Sequence, residues 1–232
     1  MKQKINDTAL LVFSLSAQKE AKRKALFGSG KQAATQDFFN ILIKQTADIA
    51  LKSGVDVVWI DEKKQRGHTF GERFANAFQE LYDQGYTKVV SIGNDCPLLT
   101  TDLLRTAIDK LQEHKVVVGP STDGGVYLIG VQKASFTKNT FSALPWLQDT
   151  LFQHLAENAL GNTDTIALLQ PLADIDTAKD MLTFALENPF LALSKFVLGQ
   201  LSRPNLTYTK NRVLFMPSAL AKAHTLRGPP GH

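Results

Sequence analysis

Four short stretches of this sequence carry side chains with chemical potential: Lys22–Arg23–Lys24, Gly93–Asn94–Asp95–Cys96–Pro97, Asp123–Gly124–Gly125 and Asp174–Ile175–Asp176–Thr177. Carboxylates such as Asp95 and Asp176 supply hard oxygen donors suited to Mg²⁺ or Mn²⁺. Lysine and arginine neutralise phosphate oxygens, and a glycine pair lets backbone approach a ligand closely. Combined, these types describe a site for a phosphate-bearing ligand held through a cation.

Each stretch also has a plainer reading. Asn94 and Asp95 can cap a turn before the next helix, because their side chains accept from free backbone N–H groups. Asp123–Gly124–Gly125 has the composition of a tight hairpin turn. Asp176 or Thr177 suits the N-cap of a helix. Asp176 gains a metal-binding role only if the fold brings it to Asp95. The basic run that includes Lys22, Arg23 and Lys24 follows the first apolar segment, where the phosphate loops of α/β folds lie. It is not a P-loop: Ala25 stands at the first glycine position and Gln32 replaces the metal-ligating Ser or Thr.

Other chemistries are excluded by spacing. His68, His114, His154, His224 and His232 show no metal-binding spacing, and Ser14, Ser29 and Ser91 lack a nucleophile-elbow setting. Cys96 lies beside Asp95, which disfavours the thiolate, so it is no nucleophile. Trp59 reads as core, and Trp146 as core or pocket wall.

The elements that must position these residues follow from hydrophobic pattern. Thr8–Leu15, Val55–Ile60 and Thr87–Gly93 read as buried strands of a parallel sheet. Asp95 then stands at the carboxyl end of the third strand, where open α/β sheets bind ligands. Helical spacing marks residues from Phe38 to Ala50, Phe74 to Tyr82 and Asp102 to Glu113. Lys115–Gly119 and Val126–Val131 are short strands around the turn Ser121–Gly125. A helix is expected over Gln148–Ala159, a strand over Thr165–Leu169, a helix over Asp176–Asn188 and an apolar helix over Phe190–Leu201. Strands alternating with helices make an α/β layered fold with a mainly parallel sheet.

Composition is that of a globular protein, 44% hydrophobic and 21% charged in 232 residues, with one cysteine. No apolar run reaches membrane-span length, no signal peptide is evident, and a cytoplasmic location is the expectation. The formal charge of +4 is segregated. Residues 1–31 carry seven basic and two acidic side chains, residues 32–187 carry thirteen and twenty, and residues 188–232 carry six and none. Such segregation points to an anionic partner. No recognition motif or aromatic–basic interleaving accompanies it, so nucleic acid is not expected.

The ordered set Gly67–His68–Thr69–Phe70–Gly71–Glu72–Arg73 with Asn76–Ala77–Phe78, Ile92–Gly93–Asn94–Asp95–Cys96–Pro97, Gly119–Pro120, Asp123–Gly124–Gly125, Tyr127–Leu128–Ile129–Gly130 and Asp174–Ile175–Asp176–Thr177 resembles the bacterial DUF2064 family. That family is glycosyltransferase-A-like and related to the molybdopterin and phospholactate guanylyltransferases. The resemblance spans about Leu11–Leu182. It implies a Rossmann-like three-layer sandwich of the nucleotide-diphospho-sugar transferase type, with a metal-binding acid at Asp95 and a nucleotide-binding loop after the first strand. Lys22 and Lys24 match the family's basic pair, but Ser16–Glu20 lacks its Pro-Gly. The later Trp-Ser/Thr-Thr pattern reads Trp146–Leu147–Gln148.

The resulting expectation is a metal-dependent glycosyltransferase domain over residues 1–188, with a basic appendage over 189–232. Lys22, Arg23, Lys24, Gly93 and Asn94 would bind a nucleotide sugar, and Asp95 and Asp176 would hold Mg²⁺ or Mn²⁺. Asp123 would act on a small acceptor admitted by Gly124 and Gly125. Two alternatives stand beside it: a nucleotidyltransferase joining an NTP to a phosphorylated acceptor, and a catalytically lapsed nucleotide-binding protein.

Overall fold

A computed structural model describes residues 6–159 and 166–202. In chain order it runs β1 (Thr8–Phe13), α1 (Ala17–Arg23), α2 (Gln32–Leu51), β2 (Asp56–Ile60), α3 (Phe70–Asp83), β3 (Lys88–Ile92), α4 (Thr101–Glu113), β4 (Val116–Pro120) and β5 (Val126–Gln132). A 3₁₀ turn at Lys133–Ser135 then leads to α5 (Lys138–Ser142), α6 (Leu151–Ala159), β6 (Ile166–Leu168), α7 (Ala178–Glu187) and α8 (Ala192–Leu201).

The six strands form one sheet in the order β2-β1-β3-β5-β4-β6. β1 is parallel to β2 and β3, and β4 to β6. β5 is antiparallel to both neighbours, because the short turn after β4 leaves no room for a crossover helix. The chain leaves β1 for β2 on one side and returns to β3 on the other. Strand order therefore reverses between β1 and β3, and a crevice opens at their carboxyl ends.

All six residues of β1 are buried, and alternate side chains enter opposite layers. Leu10 and Val12 join Ile92, Leu104, Leu111 and Leu128 on one face. Ala9, Leu11 and Phe13 join Phe74, Phe78, Leu81 and Ile129 on the other. A third cluster combines Phe38, Phe39 and Leu42 of α2 with Ile175, Met181 and Phe184, and with Leu193 and Val197 of α8.

The segment Ser16–Lys31, expected to be a loop, contains the seven-residue helix α1. It is too short to show a periodic pattern, and its start is set by the Ser16 side chain accepting from Lys19 N. Ser16 is fixed from afar: its N–H and Oγ each donate to the Glu62 carboxylate at 2.8 Å. α6 begins at Leu151, three residues later than the spacing predicts, beyond Leu147 with its left-handed φ of 64°. α7 starts from Thr177, which forms a capping box with Asp180.

Among the described residues no single helix is long and apolar enough to cross a membrane; the bent pair α7–α8 would pass only jointly, at 119° to one another. Thr165 of the expected sixth strand, and the basic segment from residue 203 onward, lie outside the described residues.

Candidate functional site

The crevice has a volume of about 830 Å³. Its walls come from the end of β1 (Phe13–Leu15), α1 (Glu20, Arg23) with Lys24 just beyond it, and the end of β3 with its turn (Ser91–Asp95). Asp123, Gly125–Ile129, Trp146–Asp149, Leu151, Asp174 and Asp176 complete it, together with Gln65, Phe70, Arg73 and Phe74.

Backbone pairing carries the distant acids into this place. Beyond β6 the chain continues beside β4: Leu169 N donates to Val118 O, Leu172 N to Pro120 O, and Ile175 N to Asp95 O at 2.9 Å. The last bond sets Asp174 and Asp176 on either side of the turn that carries Asp95. Asn94, buried, donates from its side chain to Leu15 O at 3.1 Å and ties the same turn to the exit of β1. A Cβ on Gly93 would lie 2.8 Å from the Asp95 carboxylate oxygen, so a larger residue there would push that carboxylate aside.

The centre of the site is the Lys24 ammonium. Its Nζ lies 2.7 Å from Asp176 Oδ1, 3.1 Å from Asp95 Oδ2 and 3.9 Å from Glu20 Oε2, and donates to Ile175 O at 3.0 Å. Lys24 is only 9% exposed. Burial by itself would lower its pKa, but the carboxylates of Asp95, Glu20 and Asp176 outweigh that and hold it above the ordinary lysine value. Glu20 is 3% exposed, and burial raises its pKa against the pull of Lys24. Its Oε2 has no hydrogen-bond partner.

Asp174 occupies a drier position. Ser121 Oγ donates to its Oδ2 in a short contact, while its buried Oδ1 has no partner. Burial, reinforced by the negative charge of Asp95 and opposed by the Ser121 hydrogen bond, pushes its pKa up to about 7. Cys96 is also buried; burial first, then Asp174 and Asp95, pushes its thiol up, which keeps it out of nucleophilic chemistry.

Asp123 is exposed at the rim and its Oδ1 accepts from Gly125 N at 3.0 Å, closing the turn it leads. Gly124 has φ +93°, and a Cβ there would fall 1.9 Å from Asp149 O. Phe152 N donates to Gly124 O at 2.9 Å, so this turn is clamped to the start of α6. Gly124→Ala is expected to lose about 1–2 kcal/mol from the left-handed backbone alone. Displacement of the Asp149 segment adds to that loss, and urea unfolding of the variant measures the sum.

The opposite end of the crevice is aromatic. Trp146 lies 5.9 Å from Phe70 and 5.0 Å from Phe74, and its Nε1 donates to Phe141 O at 2.7 Å. It is pocket wall and core together. Trp59 is half-buried and packed against the core, with its Nε1 donating to Ser14 Oγ at 3.0 Å. The glycine-rich stretch Gly67–Arg73 proves to be a helix start: Thr69 and Glu72 form the capping box of α3.

Of the residues singled out from sequence, Arg23, Lys24, Gly93, Asn94, Asp95, Asp123, Gly125 and Asp176 all line the crevice. Lys22 is exposed on α1 and Gly124 is enclosed in its turn; neither is part of the crevice wall. Sequence reasoning passed over Glu20, Ser121 and a role for Asp174. Glu20 gave a signal only in hindsight, as an acid four residues before Lys24 on one helix face.

The donors around Lys24 are carboxylate and carbonyl oxygens, the set that Mg²⁺ and Mn²⁺ prefer. Among the described residues no three His, Cys, Asp or Glu side chains are grouped to hold a metal by themselves. Asp95 and Asp176 converge on the ammonium instead. The residues therefore fit a divalent ion in donor type, at a position where Lys24 Nζ now lies.

The six-stranded, mostly parallel sheet, with helices packed on both faces and its crevice at the β1–β3 switch, is a Rossmann-like three-layer α/β fold. Over residues 32–148, half of its length, the sequence matches DUF2064, described as "uncharacterized protein conserved in bacteria", and the chain belongs to that family. A solved structure from Desulfovibrio desulfuricans G20, provisionally named a nucleotide-diphospho-sugar transferase, shares 22% identity. The match covers 84% of this chain and 95% of that one, with a TM-score of 0.74. Rv0371c from Mycobacterium tuberculosis H37Rv is 16% identical, covering 75% of this chain and 95% of its own, with a TM-score of 0.45. A cytidylyltransferase from Leptospira borgpetersenii serovar Hardjo-bovis is 16% identical, covering 84% and 92%, with a TM-score of 0.37. No curated protein matches the chain.

Proposed function

We propose that this chain is a metal-dependent glycosyltransferase that takes its sugar from a nucleotide-activated donor. The observation that carries this reading is the convergence of Asp95 and Asp176, from two separate segments of the chain, on the Lys24 ammonium inside a crevice of about 830 Å³. The provisional name of the Desulfovibrio relative agrees with it.

In this reading Asp95 and Asp176 hold Mg²⁺ or Mn²⁺ against the donor diphosphate. A divalent ion there supplies charge neutralisation for the leaving diphosphate. Lys24 and Arg23 bind the phosphate oxygens, and Lys22, on the exposed side of α1, adds to the positive field. Gly93 and Asn94 shape the turn under the nucleotide. Asp123, exposed at the rim, orients or deprotonates the acceptor hydroxyl, with Gly124 and Gly125 on the acceptor side. The transferase domain is taken as residues 1–188, with 189–232 a basic appendage, and the location as cytoplasmic.

The test is calorimetry with UDP- and GDP-sugars and with NTPs, each with and without Mn²⁺, followed by product analysis. Saturable binding of a nucleotide sugar that needs the metal, with nucleoside diphosphate released on adding acceptors, is the expected result. Pyrophosphate release from an NTP and a phosphorylated acceptor would replace it with nucleotidyl transfer. Binding with no turnover on any donor would mark a lapsed enzyme, and no nucleotide binding at all would end the proposal.

A further inference from the structure

The Lys24 ammonium sits between the two carboxylates proposed to hold the metal ion. It is buried, it bridges Asp95 and Asp176 at 3.1 and 2.7 Å, and it takes the Ile175 carbonyl as a third oxygen ligand at 3.0 Å. Its Nζ lies over the Phe39 ring, 5.4 Å from the ring centroid. Around this ammonium stand the carboxylates of Glu20, Asp95 and Asp176, with Asp174 and Arg23 elsewhere on the crevice wall. Two of their oxygens, Glu20 Oε2 and Asp174 Oδ1, are buried without hydrogen-bond partners. The Asp95 and Asp176 carboxylates are thus paired to the ammonium at the place a more highly charged cation would take. The oxygens on Lys24 would need to close by roughly 1 Å or less to reach Mg²⁺ or Mn²⁺ bonding distance, so the two cations compete for one place.

We propose that Lys24 is a resident counter-cation that gates metal binding. In the nucleotide-free protein its ammonium occupies the Asp95–Asp176 position and excludes divalent ions; an incoming diphosphate draws the ammonium onto its own oxygens and frees the carboxylates. Metal and diphosphate then bind with positive coupling, and neither binds tightly alone. The second half rests on the diphosphate reading of the crevice, whereas the exclusion of metal from the free protein does not.

The full-length chain is titrated with Mn²⁺ alone by calorimetry, beside Lys24→Met and the charge-conserving Lys24→Arg. Wild type and Lys24→Arg are expected to bind Mn²⁺ weakly. Lys24→Met is expected to bind it at least about tenfold more tightly, a gain of about 1.4 kcal/mol. Removing the ammonium leaves buried carboxylates unpaired, so thermal melting is read in parallel. Mn²⁺ is expected to raise the Tm of Lys24→Met well beyond its effect on wild type, and adding Asp176→Asn to Lys24→Met should cancel both gains. A Lys24→Met protein that binds Mn²⁺ no more tightly than wild type, or that is not stabilised by it, overturns the proposal; so does tight Mn²⁺ binding by wild type alone.

A last arm adds inorganic pyrophosphate. It is expected to tighten Mn²⁺ binding more in wild type than in Lys24→Met, beyond the chelation measured without protein. Equal effects would overturn the coupled half and leave the metal exclusion standing. Failure of every nucleotide to bind would end the glycosyltransferase reading without touching the Mn²⁺ result for Lys24→Met.

Discussion

Asp95→Ala is expected to weaken Mn²⁺-dependent binding of a nucleotide sugar by about a hundredfold or more, close to 3 kcal/mol. Asp95 supplies one of the two carboxylates that meet at the cation position, 3.1 Å from Lys24 Nζ. Its removal halves that pair, and Asp174 is held against Ser121 rather than on the Lys24 ammonium. Asp95→Asn keeps one oxygen donor and the turn but loses the charge, so it should fall between wild type and alanine. The effect on the fold is expected to be small: the Asp95 side chain is 32% exposed, Lys24 keeps Asp176 and Ile175 O, and Ile175 N still pairs with the backbone oxygen of residue 95. Calorimetry together with a thermal melt separates the two effects. Metal-dependent binding that is unchanged in Asp95→Ala would remove Asp95 from the site.

The largest loss of stability is expected from Phe78→Ala. Phe78 is fully buried in the layer under β1 and β3. Its ring lies 5.1 Å from Phe74, 4.9 Å from Phe141 and 5.9 Å from Phe136. Truncation removes the transfer free energy of the ring and leaves a cavity that rigid neighbours cannot fill, a cost of about 3–5 kcal/mol. In a domain of this size that corresponds to a Tm lower by roughly 6–20 °C. Because Phe74 and Phe141 also contact Trp146, the aromatic end of the crevice should loosen as well. Urea unfolding measures the stability; a loss below about 1 kcal/mol would mean that the cluster relaxes around the gap.

The local half of this architecture was legible in the residues. The apolar run of β1 is buried at every position, as a central strand requires. The spacing of Phe74, Phe78 and Leu81 placed α3, and the helical spacing from Asp102 to Glu113 placed α4. Those signals succeed because a helix or strand is decided by neighbours a few residues apart. α1 escaped notice because its start depends on a hydrogen bond between Ser16 and Glu62, forty-six residues away. The shift in the start of α6 was likewise invisible, since nothing in the residue type of Leu147 announces a positive φ.

For the site, residue chemistry and strand-end position singled out Asp95, Asp176 and Lys24 as candidates, and the fold brings the three side chains together. Their selection follows from local pattern, because side-chain type and the turn after a strand are written in consecutive residues. What Lys24 does could be decided only by the tertiary structure. The lysine and Asp95 are seventy-one positions apart in the chain, and Asp176 arrives along a segment paired to the end of β4. Whether two carboxylates meet a metal, each other or an ammonium depends on distances of a few ångströms between those segments. The same packing set Asp174 apart from Asp176, one against Ser121 and the other on Lys24. Sequence proximity made them look alike, and burial gave them different chemistry, because charge is costly only where water has been removed.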